Sequence, residues 1–183
     1  MAVATYKWSI ERYHEAVEAG VFRDQAVELL RGDLVAMSPE GIPHAGLSSD
    51  CADELRRLLG DRVKVREGKP ITLPNASEPE PDIAIVQPLG EVYHKKHHPY
   101  PKDVFWVIEY SNTSLEKDLT VKSQVYAEVG IEEYWVVNLK ARELVLFRCP
   151  VDGEYQTRQT LDDGAVSPQA FPGVEVRVSV LIG

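Results

Sequence analysis

Residues 104–139 read VFWVIEYSNTSLEKDLTVKSQVYAEVGIEEYWVVNL. The stretch opens on a continuous apolar run, Val104 to Ile108, the pattern of a central strand buried on both faces. A helix follows. Thr113 and Glu116 have the Thr-x-x-Glu spacing of a capping box, and Gly130 stands at the far end. Tyr134 to Leu139 is a second central strand, and Glu143 to Arg148 is its expected hairpin partner across a turn near Asn138 to Arg142. This core predicts an α/β (α+β) fold with one mixed central sheet flanked by helices.

On the N-terminal side, Ser9 is a helix N-cap, with Trp8 placed to staple onto Tyr13. Ile10, Tyr13 and Val17 keep helical spacing, and Gly20 stops the helix. Val27 to Ser38 is a β-hairpin turning at Gly32-Asp33. Pro39 and Pro43 then break the chain. Leu47, Cys51, Leu55, Leu58 and Leu59 mark one face of a second helix that Gly60 ends. Arg62 to Glu67 alternates as a strand with one apolar and one basic face, and Gly68 turns it into a second strand, Pro70 to Leu73. A polar loop (74–81) leads to the short buried strand Ile83 to Val86. Residues 87–103 are expected to be another polar loop, and the tail beyond 150 shows only short strands and two Asp-Gly turns. The whole chain, 1–183, is expected to be one domain with an N-terminal helix and hairpin extension.

The chain has 183 residues, of which 44% are apolar and 27% charged, an ordinary globular composition. No apolar run is long enough to span a bilayer. No basic segment followed by an apolar one opens the chain, so a cytoplasmic protein is expected. The two cysteines, Cys51 and Cys149, exclude a zinc ribbon or a disulfide scaffold. The net charge of −9 and pI of about 5.1 argue against tight nonspecific nucleic-acid binding, which phosphate neutralisation normally drives. They do not exclude an enzyme acting on nucleic acid, because bound metal or clustered basic residues can supply local positive charge.

The oddest residue is Lys122. At about 100° per residue with Leu115 at 0°, Leu119, Tyr126 and Val129 fall within about 40° of it. Lys122 falls at about 340°, inside that apolar arc. A lysine there either snorkels outward or meets a carboxylate. Two carboxylates offer themselves. Glu109 ends the run Val104 to Ile108, where an unpartnered charge is costly. Asp82 follows Pro81 at the start of the strand Ile83 to Val86. Taken alone, Asp82 is also an ordinary strand-opening turn residue, and Glu109 an ordinary strand end. Together, two carboxylates and a lysine on regular elements suit a one- or two-metal hydrolase site for Mg²⁺ or Mn²⁺. There a metal activates water and the lysine orients it or stabilises developing charge.

Pro81-Asp82, followed by a strand ending in Glu109, resembles the Pro-Asp and Glu-x-Lys motifs of the PD-(D/E)XK nuclease superfamily. Position 111, where the motif has lysine, is Ser111. Some members carry that lysine on the following helix, where Lys122 stands. More narrowly, the chain resembles a bacterial family of restriction endonucleases over roughly residues 27–178. The features are Met37-Ser38-Pro39, His44, Pro81-Asp82, Val107-Ile108-Glu109-Tyr110-Ser111, Asp118, Lys122, Tyr126 and the run Gly130 to Asn138. Tyr110-Ser111-Asn112-Thr113-Ser114 lacks the proline that members commonly carry in this loop. The resemblance implies a restriction-endonuclease-like fold, with Asp82 and Glu109 as metal ligands and Lys122 as catalytic lysine. Glu28 and His44 are candidates to complete the site.

The resulting expectation is metal-dependent phosphodiester hydrolysis, with DNA as substrate. A homodimer is expected by analogy with nucleases that pair to cut two strands. Two other readings stay open. One is a catalytically inactive nuclease-fold protein that binds nucleic acid or a protein partner. The other is a small-molecule phosphohydrolase using the same ligands. Two basic stretches are read as solvated surface: Arg56, Arg57, Arg62, Lys64, Arg66 and Lys69 against Asp61 and Glu67, and the loop His94-Lys95-Lys96-His97-His98. Asp118, one turn before Lys122, is read as an ordinary ion-pair partner or as a brace for that lysine.

Overall fold

A computed structural model describes residues 5–183. Its centre is a six-stranded mixed sheet in the order β3 (Lys64–Glu67), β4 (Ile83–Val86), β5 (Val104–Ser111), β6 (Glu133–Asn138), β7 (Glu143–Val151) and β8 (Glu154–Leu161). Only β5 and β6 run parallel; the other neighbours are antiparallel. A parallel pair needs a crossover, and the helical segment after β5 supplies it. β4, β5 and β6 are apolar along almost their whole length because helices or loops cover both faces.

One face packs Trp106, Ile108, Trp135 and Val137 against α2 (Ile42–Leu59) and α6 (Val178–Ile182). The other packs Val107, Tyr134, Val136 and Val145 against the helix after β5 and against Leu30 of the hairpin β1 (Val27–Leu30) and β2 (Asp33–Ala36). That hairpin is a separate two-stranded sheet, turned by Arg31 and Gly32, both with positive φ. At the N-terminus, α1 (Ile10–Glu18) is capped by Ser9, whose hydroxyl accepts from the Arg12 amide. The remaining small elements are α3 (Glu91–Lys95), β9 (Ala165–Val166) and β10 (Val176–Arg177).

Several expectations are corrected. Pro70 to Leu73 is not a strand. β3 pairs instead with β4, while Ile71 and Leu73 are buried in irregular chain, so their alternation reports burial and not a ladder. Pro43 does not break the chain. It lies in the first turn of α2, where its missing amide leaves no gap. Residues 87–103 include α3 and a 3₁₀ turn at Pro101–Asp103. Trp8 does not meet Tyr13 directly; Phe22 packs against both rings, at 6.1 and 5.8 Å. β8 spans 8 residues, longer than the tail promised.

The capping box at Thr113 and Glu116 also does not form. The helix begins at α4 (Leu115–Lys117), and Ser114 before it makes no side-chain cap. A π-helical turn, Asp118–Lys122, then leads into α5 (Ser123–Glu128). Hydroxyls take up carbonyls of this widened turn. Thr120 donates to the Glu116 carbonyl, and Ser123 donates to those of Leu119 and Thr120.

The buried hydroxyls of Tyr126, Tyr134 and Tyr155 donate to Glu109 Oε1, the Asp118 carbonyl and the Ile131 carbonyl. Burial, the largest cause, raises all three well above the ordinary tyrosine range. The folded chain therefore keeps protons that the unfolded chain releases near about pH 10. Stability should fall as pH rises above that point, by up to about 1.4 kcal/mol per pH unit for each tyrosine. Urea midpoints measured across this range check it. A midpoint unchanged at about pH 11 would contradict it.

Candidate active site

β4 and β5 are antiparallel neighbours, with Ile83 opposite Ile108. The register therefore brings Asp82, just before β4, beside the end of β5. The Tyr110 amide donates to Asp82 Oδ2 at 2.6 Å. Glu109 points to the face covered by the crossover helix. Its Oε1 accepts from Lys122 Nζ at 2.8 Å and from the Tyr126 hydroxyl at 2.9 Å. Lys122 is 3% exposed, so it does not snorkel. Glu28 of β1 reaches the same place. Its Oε2 lies 3.1 Å from Lys122 Nζ, and its Oε1 accepts from Lys117 at 2.8 Å. The structure thus brings together Asp82, Glu109, Lys122, Glu28 and His44 around one cleft of about 360 Å³.

Ser111, where the superfamily motif has lysine, donates to Asp118 Oδ2 at 2.7 Å. Asp118 is therefore held by the strand, and no ion pair joins it to Lys122 among the described residues. His44, in the first turn of α2, places Nε2 3.0 Å from Asp82 Oδ2, outside hydrogen-bond geometry, and its ring lies 6.0 Å from that of Tyr110. Glu40, Lys117 and Glu80 were not singled out from the sequence. Glu40 sits in exposed irregular chain with no local signal. Lys117 is one lysine among many on a helix, and Glu80 follows a loop already rich in Glu.

The cleft is acidic. Burial, the largest cause, pushes Glu109 up to about 8; Asp82, Asp118 and Glu28 add to this, while Lys122 opposes it. Burial also acts against the charge of Lys122, but Glu109 and Glu28 outweigh it and hold the ammonium above the usual lysine range. For Glu28, burial is outweighed by Lys122 and Lys117, which lower its pKa. His44 is raised because its contact with Asp82 overcomes burial. Glu80 is raised by burial and then by Glu28.

The donor set fits a hard divalent cation. Asp82 Oδ1 and Glu109 Oε2 accept no hydrogen bond among the described residues, and both residues line the cleft. Glu40, His44 and Asp82 each offer a donor atom, all within 4.8 Å of one another. Carboxylate oxygens with one imidazole suit Mg²⁺ or Mn²⁺.

A family model described as "Uma2: Putative restriction endonuclease" matches residues 10–179. Among solved structures, the fold is similar to one described as a "putative nuclease belonging to DUF820 from Anabaena variabilis ATCC 29413". The TM-score is 0.71 at 15% identity, over 87% of this chain and 90% of that one. No curated protein matches. Among the described residues, no helix is long and apolar enough to cross a membrane.

Proposed function

The chain belongs to the Uma2 family, and from that membership and the geometry of the cleft we propose a metal-dependent endonuclease that hydrolyses phosphodiester bonds in DNA. The observation that carries the reading is the buried contact of Lys122 with Glu109, on a cleft that Asp82 also lines. In this proposal Asp82 and Glu109 hold Mg²⁺ or Mn²⁺, with His44 and Glu40 completing the shell on the side of Asp82. The bound ion supplies a water of lowered pKa and positive charge at a phosphoryl oxygen.

The chain's own groups do the rest. The Tyr110 amide fixes Asp82 Oδ2. The Tyr126 hydroxyl fixes Glu109 Oε1, and Glu28 pairs with both Lys117 and Lys122. The Lys122 ammonium then orients the attacking water or offsets charge on the pentacoordinate phosphorus. Lys117 lines the cleft and can meet a non-bridging phosphate oxygen.

Calorimetry with Mn²⁺, together with nicking of supercoiled plasmid, tests this. Wild type should bind the ion and cut, and EDTA should stop cutting. Asp82→Asn, nearly isosteric and half-buried, should stay folded while binding weakens at least tenfold and cutting falls at least a hundredfold, on the scale seen when charge-stabilising groups are removed. Cutting unchanged in Asp82→Asn would remove the site assignment. A folded wild type that neither binds the ion nor cuts would favour a non-catalytic binding protein.

A further inference from the structure

Two basic stretches that look separate in the sequence meet in the fold. β3 presents Lys64 and Arg66 on one face, because Val65 between them points into the opposite core. The segment after β4 folds over that same face. The Arg66 guanidinium lies over the Tyr93 ring of α3, 5.6 Å from its centroid. Beyond it follow Lys95, Lys96, His97 and His98, with His97 stacked on Tyr100 at 4.2 Å. Together with His14 of α1, they line a second cleft of about 480 Å³.

The chemistry here is short of acceptors. Arg66 is half-buried and has no carboxylate within ion-pair distance among the described residues; one terminal nitrogen donates to the Pro70 carbonyl. Arg66 Nε, Tyr93 Oη and His98 Nδ1 are buried with no hydrogen-bond partner there. Lys96 is exposed and likewise unpaired among the described residues. Nearby acids are already engaged: Glu91 by Lys95, Glu67 by Arg56, and Glu78 by His14 and Thr72. A protein of net charge −9 has gathered unpaired cations, donors and aromatic rings on one edge of its sheet. The band runs toward the active cleft, since Lys69 acts on the charge of Glu80, which lines that cleft.

We propose that this edge, centred on Arg66, Lys95, Lys96 and His98, binds the phosphodiester backbone of duplex DNA and holds it for the acidic cleft. Guanidinium and ammonium groups are the usual partners of backbone phosphates, and such contacts position the duplex without reading its sequence. The division of labour follows from charge. The cleft itself carries too many carboxylates to attract DNA, so the attraction comes from outside it. The inference rests on the nuclease reading of the cleft, but binding can be measured apart from cutting.

Fluorescence anisotropy of a labelled duplex in EDTA, titrated at several salt concentrations, provides that measurement. Lys95→Gln with Lys96→Gln alters only exposed side chains and should weaken binding about tenfold, with the salt slope shallower by about one for each phosphate that is no longer neutralised. Arg66→Gln should do the same. Lys140→Gln with Arg158→Gln, away from this edge, should bind as wild type. Wild-type affinity and slope in both edge variants would overturn the proposal, even if plasmid cutting persists and the nuclease reading stands. Edge-dependent binding without any cutting would support the edge and remove the nuclease reading. Inorganic phosphate is expected to displace the duplex only as ordinary salt does; displacement at far lower phosphate would make the edge a free-phosphate site instead and overturn the proposal.

Discussion

Replacing Lys122 with alanine should cost about 3–5 kcal/mol of stability as well as abolishing hydrolysis, because it strips one partner from a buried ionic cluster. Glu28 and Glu109 would then face each other across the space the ammonium filled, each almost fully buried. Like charges in that setting raise each other's pKa, so the loss should shrink at acid pH, where the carboxyls take up protons, and grow as pH rises. Chemical denaturation of Lys122→Ala and of the closer-shaped Lys122→Met, each at acid and neutral pH, checks both the size and the sign. A loss below about 1 kcal/mol, the scale of surface pairs, would mean that the cluster is not buried as described.

Glu133→Ala should be as damaging, for a reason remote from the cleft. Glu133 is 1% exposed and gathers four donors. Its Oε1 accepts from Trp135 Nε1 and from Arg148, and its Oε2 accepts from the Gln169 amide. Arg148 also donates to the Ser167 carbonyl, so this carboxylate ties the C-terminal tail to the sheet. Removing it leaves an indole donor orphaned in the core and a guanidinium without its counter-charge, at a cost of about 3–5 kcal/mol. Glu133→Gln, which keeps an acceptor oxygen, should lose less. Guanidinium unfolding gives the stabilities, and hydrogen exchange should show faster opening of residues 165–182 in the alanine variant alone. Equal stability for Glu133→Ala and wild type would contradict the role.

The central strands and the three residues Asp82, Glu109 and Lys122 were legible because each breaks a local pattern. A carboxylate at the end of an apolar run and a lysine inside an apolar helical arc both announce a partner that the sequence does not show. Glu28 was legible only as a candidate, since its burial depends on the hairpin folding over the cleft. Glu40 and Lys117 carry no such conflict with their surroundings and could not be found that way. The apparent strand Pro70 to Leu73 misled because Ile71 and Leu73 are apolar for burial alone. β8 escaped notice because an edge strand exposed on most of its length need not alternate. Tail residues 167–169 depend on Glu133, which lies far away in sequence.

The π-helical turn at Asp118–Lys122 bears on how this site tolerates change in chain length. A regular α-helix turns by about 100° per residue, so removing one residue from this turn would rotate everything after it by about that angle relative to what precedes it. Asp118, bonded to Ser111, would stay where it is. Lys122 and Tyr126, both engaged with Glu109, would swing off it together. Point substitutions between these positions can be absorbed, whereas a single-codon deletion there would separate the lysine from its carboxylate while leaving the sheet untouched. The turn therefore acts as a phase setting. Relatives that place their lysine on this helix are constrained in the length of the segment between strand and lysine more tightly than in its composition.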